Sequence, residues 1–167
     1  MLVIVRPALE EDAPQMVDLL NGLISQGRYT VMDEPVGLRE QVDFIRAFPD
    51  RGVFHLAVCP TGQEVLGMQD VQPLSAPHRA FSHVGEVSTF VRPDAQGVGV
   101  GGSLCRATFE AVRERGFRKI LATVRADNPR AVAFYLGQGF RVIGTAQQHA
   151  YVGGNYVDEV LMEKLVG

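Results

Sequence analysis

The sequence predicts an α/β chain with a mixed β-sheet flanked by helices, organised as one domain over residues 1–167. Three observations predict it. Strand-patterned and helix-patterned runs alternate in the order β-α-α-β-β-β-α-β-α-β-β. Two pairs of strand runs are joined by tight turns, Pro60-Thr61-Gly62 and Gly153-Gly154-Asn155, which read as hairpins. A glycine-rich stretch, Gln96-Gly97-Val98-Gly99-Val100-Gly101-Gly102, separates a strand run at Glu86–Val91 from a helix run at Ser103–Arg115.

Each element has its own signal. Val3 to Arg6 reads as a short strand. Asp12 with Pro14 just inside marks a helix start, and Met16, Leu19, Leu20, Leu23 and Ile24 then recur at helical spacing. After the loop Gly27–Pro35, a second helix is marked by Leu38, Val42 and Ile45 and closed by Asp50-Arg51-Gly52. Val53–Cys59 and Glu64–Val71 form the first hairpin; Pro73–Ser82 is a loop before the central strand, Gly85–Val91. The helix behind the glycines ends in Arg113, Arg115 and Gly116, which suit a C-terminus and its cap. Lys119–Val124 is an apolar buried strand, Asn128-Pro129 starts the next helix, and Gly137 and Gly139 close it. Phe140–Thr145 begins a long strand, paired through the last turn with Tyr156–Lys164.

Composition narrows the function. With 167 residues the chain can bury a proper core. A net charge of −3 gives no basic footprint for nucleic acid. Hydrophobic residues make up 46% of the chain, yet no apolar run is long enough to span a membrane. Met1 to Val5 is apolar but is broken at once by Arg6-Pro7, so it reads as a first strand rather than a signal peptide. Cys59 and Cys105, both in apolar settings, read as buried free thiols of a cytoplasmic protein, and no metal-ligand spacing exists.

The glycine stretch carries the chemistry. Glycines let successive backbone N–H groups converge, and the helix behind adds its unpaired first-turn donors and positive dipole end. That arrangement suits phosphate or pyrophosphate. A P-loop is set aside, because Ser103 stands where its lysine belongs. The dinucleotide fingerprint is formally present in Gly97, Gly99 and Gly102, but it sits past the middle of the chain, separated from its strand by Arg92–Gln96.

Gln96-x-x-Gly99-x-Gly101 resembles the Q/R-x-x-G-x-G/A signature of the GNAT superfamily of N-acetyltransferases. Val91-Arg92-Pro93-Asp94 upstream is similar to that family's strand-to-loop junction. Asn128, Ala131, Tyr135 and Gly139-Phe140 downstream resemble its second motif. The resemblance is strong over residues 84–145 and extends to the N-terminal third only in pattern. It implies the GNAT acyl-CoA N-acyltransferase fold, with the acetyl-CoA pyrophosphate cradled by Gln96, Gly97, Val98, Gly99, Gly101 and Gly102. It also implies that backbone N–H groups near Phe90 and Val91 meet the thioester carbonyl, in a gap where the central strand splays from Lys119–Val124. Family members are often dimers, so a homodimer is a further expectation.

Acetyl transfer needs a held thioester, a deprotonated amine and a proton for the departing sulfur. Tyr135 aligns with the family tyrosine that faces the sulfur; its other reading is a packing residue. Asn128 bonds the cofactor arm or caps its helix, and the two roles are compatible. Glu86, ten residues before Gln96, is the candidate general base. Gly85-Glu86-Val87-Ser88 resembles the corresponding strand of phosphinothricin acetyltransferase-like enzymes. A solvent-facing position is the alternative for Glu86, and His83 and His149 are rival bases. The acceptor pocket is expected from Tyr29, Thr30, Met32 and Glu34 together with Tyr151, Asn155, Tyr156 and Asp158 of the last hairpin. The implied substrate is a small primary amine such as an amino acid. A protein N-terminus or lysine is the runner-up, and a non-catalytic acyl-CoA-binding module is the reading from another class.

Overall fold

The computed structural model describes residues 1–75 and 78–167; residues 76 and 77, inside the expected Pro73–Ser82 loop, lie outside the described residues. Among the described residues one sheet contains β1 (Ile4–Pro7), β2 (Val53–Val58), β3 (Val65–Pro73), β4 (Val84–Val91), β5 (Lys119–Arg125), β6 (Arg141–Val152) and β7 (Asn155–Leu165). The order across it is β1-β2-β3-β4-β5-β7-β6. Among the described residues four α-helices accompany it: α1 (Ala13–Ile24), α2 (Leu38–Arg46), α3 (Val100–Glu114) and α4 (Pro129–Gly137). No helix among the described residues is long and apolar enough to cross a membrane.

Neighbouring strands are antiparallel except β4 and β5, which run parallel. A parallel pair needs a crossover, and the glycine stretch with α3 supplies it. β3 shows how the helices divide between the two faces. Met68 packs in the cluster with Leu19, Leu20 and Leu23 of α1, whereas Val71, of opposite parity, packs with Cys105 and Phe109 of α3 and Tyr135 of α4.

Three differences from the sequence expectation have local causes. α3 begins at Val100, not Ser103, because the first turn containing Gly101 and Gly102 is held by tertiary contact where propensity alone disfavours it. β3 runs on to Pro73, paired with Gly85. Cys105 is buried, but Cys59 is only partly so, because the hairpin turn begins beside it and its Sγ lies 2.9 Å from Thr61 Oγ1.

The feature that positions the site is a short parallel seam. β4 and β5 pair only at Val84–Lys119, Gly85–Ile120 and Glu86–Leu121. Beyond it β4 stays with β3 as far as Val91, and β5 stays with β7 as far as Arg125. A wedge therefore opens in mid-sheet just after Glu86, as the resemblance implies.

Candidate active site

The glycine stretch closes the mouth of the wedge. Gly97 and Gly99 have φ of 78° and 95°, a region that favours glycine, and Gly99 caps α3. Gly101 is required for a different reason: a Cβ there would lie 2.8 Å from the ring of Phe134. The first helical bond is Ser103 N–H to Gly99 O, at 3.0 Å. The N–H groups of Val100, Gly101 and Gly102 thus precede the first helical donor, at the positive end of α3. Gln96 Nε2 donates to Val91 O at 3.0 Å, tying the loop back to the strand it leaves.

Behind the loop lies a cavity of about 350 Å³, within the usual range for a small-molecule site. Phe90, Val91 and Thr89 of β4 form one wall; Asn128, Ala131, Phe134 and Tyr135 of α4 and its cap form another. Leu23 and Tyr29, from the end of α1 and the loop after it, line it as well. That loop is anchored by Arg125, whose guanidinium donates to Thr30 O at 2.8 Å and pairs with Asp127.

Tyr135 is 6% exposed. Its ring is held between Phe134 and Phe140, with centroids 5.1 and 5.0 Å away. Its hydroxyl is 2.9 Å from Thr89 Oγ1. Burial pushes the phenol well above its ordinary pKa, so it stays protonated and able to donate. Asn128 Oδ1 accepts from Ala131 N–H at 3.2 Å, so the capping role exists, and Asn128 lines the cavity too.

A glycine cradle at a helix start, a mid-sheet wedge and a buried phenol suit an acyl-CoA-type ligand, and the family comparison agrees. The pattern of the acetyltransferase (GNAT) family matches residues 18–140. The chain belongs to the GNAT family. It is an acetyltransferase, and its sheet and helices match solved GNAT structures. It is 28% identical to a phosphinothricin N-acetyltransferase of Streptomyces coelicolor over 96% of this chain and 94% of that one. A ribosomal-protein-alanine N-acetyltransferase from Brucella melitensis superposes with a TM-score of 0.89 at 26% identity, covering 97% and 99% of the two chains. A phosphinothricin acetyltransferase from Sinorhizobium meliloti, solved in complex with AcCoA, superposes with a TM-score of 0.90 at 20% identity, covering 100% and 90%.

Within this GNAT chain the expected residues divide into two groups. Phe90, Val91, Gln96, Gly97, Gly99, Gly101, Gly102, Asn128 and Tyr135 come together around the cavity. Val98 does not line it: the side chain is exposed, and the carbonyl accepts from the Met1 amino group. Glu86 is exposed on β4 at the last rung before the wedge and lies outside the cavity lining. His83 is exposed ahead of β4 and His149 is exposed on β6. Of the expected acceptor residues, Tyr29 reaches the cavity. Tyr151 and Tyr156 instead pack against each other with tilted rings, exposed, at the hairpin tip, and Asp158 accepts from Gln148 N–H.

Sequence reasoning missed three polar residues. Arg130 lines the cavity, with its guanidinium 2.8 Å from where a Cβ on Gly97 would sit. Asp70 is a buried carboxyl on β3, raised to about 6 by desolvation although Gln72 donates to it at 3.1 Å. Gln69 is fully buried and donates to Thr89 Oγ1 at 2.9 Å. The one signal for Gln69 and Asp70 is polarity inside an otherwise apolar strand run; Arg130 lies on α4.

Proposed function

We propose that the chain transfers an acetyl group from acetyl-CoA to the primary amine of a small molecule by direct transfer. The observation that supports this reading most is the continuity of glycine loop, wedge and Tyr135 around one cavity. In this reading the N–H groups of 100–102 and the Arg130 guanidinium hold the phosphates. The backbone of Phe90 and Val91, on the open edge of β4, meets the thioester carbonyl. Acetyl-CoA, when bound, supplies the activated acyl group. Tyr135 donates a proton to the departing sulfur. Glu86, at the foot of the wedge, takes a proton from the acceptor ammonium through water. The nitrogen loses two protons in all; one replaces the Tyr135 proton and the other leaves to solvent. Neither cysteine lines the cavity, in keeping with direct transfer rather than an acyl-cysteine route.

A small acceptor is favoured over a protein because Leu23 and Tyr29 line the cavity and the loop that carries Tyr29 is pinned by Arg125. Two measurements test the proposal. Acetyl-CoA at a hundredfold excess over its Kd stabilises the fold by about 2.7 kcal/mol, whereas NADH leaves the melting temperature unchanged. A thiol-release assay across amino acids, polyamines, aminoglycosides and peptides then finds turnover among the small amines. Stabilisation by NADH alone, or turnover confined to peptides, overturns the reading; binding without turnover on any amine indicates a non-catalytic module.

A further inference from the structure

A hydrogen-bonded line of side chains runs from the sheet interior to the Tyr135 hydroxyl. Gln69 on β3 and Thr89 on β4 stand directly opposite each other in the register. Gln69 Nε2 donates to Thr89 Oγ1 at 2.9 Å and to Cys105 Sγ at 3.2 Å. Burial holds the Cys105 thiol up at about 11, so it is an uncharged neighbour. Thr89 Oγ1 is in turn 2.9 Å from Tyr135 Oη.

Gln69 fixes the inner end of this line. An amide nitrogen only donates, so the Thr89 oxygen accepts from Gln69. Either hydroxyl can donate across the 2.9 Å contact between Thr89 Oγ1 and Tyr135 Oη; when the Thr89 proton goes to Tyr135 Oη, the line runs outward from Gln69 in one direction. In that arrangement the phenol oxygen is engaged as an acceptor, and its own proton turns to the cavity that Thr89 and Tyr135 both line. Reversing the Gln69 amide is the costlier arrangement. Its nitrogen would occupy the site of Oε1, which is buried and has no hydrogen-bond partner among the described residues. Two orphaned N–H donors cost more than one orphaned carbonyl oxygen.

We propose that Gln69 and Thr89 are positioning residues that aim the Tyr135 hydroxyl proton into the cavity, at the site of the departing sulfur. This rests on Tyr135 as proton donor. As the thioester C–S bond breaks, its electron pair ends on sulfur, which takes the proton from Tyr135 Oη. The phenol is restored by one of the two protons the acceptor nitrogen loses. Without Thr89 Oγ1 the phenol O–H bond loses its partner and is aimed correctly only part of the time.

The test is a kinetic double-mutant cycle on Thr89 and Tyr135, with kcat and the acetyl-CoA KM measured separately. Thr89→Val keeps the shape and removes the hydroxyl; kcat falls about tenfold, the worth of one hydrogen bond, while KM moves about twofold or less. Thr89→Ser restores the hydroxyl and most of kcat. In a Tyr135→Phe background, Thr89→Val has no further effect, because it acts only through the phenol. Gln69→Met gives a smaller loss of kcat that also vanishes in that background. Equal losses with and without the Tyr135 hydroxyl overturn the proposal, as does a Thr89→Ser rate no better than Thr89→Val. A Thr89→Val rate equal to the parent's, with Tyr135→Phe slow, overturns the positioning role alone. A Tyr135→Phe rate equal to the parent's overturns the proton-donor reading as well.

Discussion

Gly101 in the first turn of α3 lies against the ring of Phe134 in α4, so that a Cβ on Gly101 would sit 2.8 Å from Phe134 Cε2. The contact locks the glycine loop to the helix that carries Tyr135. Gly101→Val must push the ring aside and costs about 1–3 kcal/mol as overpacking. It also abolishes stabilisation by acetyl-CoA in a thermal-shift experiment. Phe134→Leu in the same chain recovers part of the lost melting temperature. At Gly99, where nothing lies within 4 Å of a Cβ, the cost is backbone strain alone at φ 95°.

Tyr135→Phe keeps the packing against Phe134 and Phe140 and removes only the proton donor. Turnover is expected to fall about 10²–10⁴-fold, with acetyl-CoA affinity nearly unchanged by calorimetry. A parent-like rate makes Tyr135 a packing residue.

Glu86→Gln keeps size and hydrogen bonding and removes basicity. The rate at neutral pH falls and the acidic limb of the pH–rate profile flattens. Raising the pH shrinks the defect, because more of the amine is already neutral. A deficit that is constant across pH means that Glu86 only binds or orients the substrate.

Asp70 makes a prediction about stability. Its folded-state carboxyl is held up at about 6, against an ordinary value of 3.8, by burial. The folded state therefore binds the proton more tightly than the unfolded state does. This contribution is present in full below the unfolded pKa and is lost as pH rises through the folded one. Keeping the group ionised inside the fold costs about 3 kcal/mol at neutral pH. Asp70→Asn is expected to raise urea stability at pH 7.5 by up to that amount and to leave it little changed at pH 3. Equal effects at the two pH values rule this origin out.

The strands, helices and glycine cradle were readable because each has a local cause: alternation, helical spacing, a cap or a turn. The same holds for Tyr135 and Asn128, which sit at fixed offsets on one short helix. Gln69 and Thr89 were not readable as a site, because their meeting depends on the β3–β4 register, a relation between positions twenty residues apart. Tyr151 and Tyr156, expected at the acceptor pocket, lie outside the cavity lining for a related reason. They sit at the tip of the β6–β7 hairpin, whose outer strand is the sheet edge, so their alternation says nothing about reach. Arg130 was hidden in a variable position of the second motif and became visible only when α4 was laid beside the loop.

The three-rung seam between β4 and β5 makes this sheet mechanically two leaves joined along one short fold line. A molecule lodged in the wedge would fasten the leaves together, much as a missing strand would. Occupancy should therefore be felt as stiffness. Amide hydrogens of residues 88–91 and 122–125 are the ones whose exchange should slow on loading, while those of β1 and β2, far across the sheet, keep their unloaded rates. Such an enzyme would borrow part of its rigidity from the molecule it consumes, and would loosen each time the spent thiol departs.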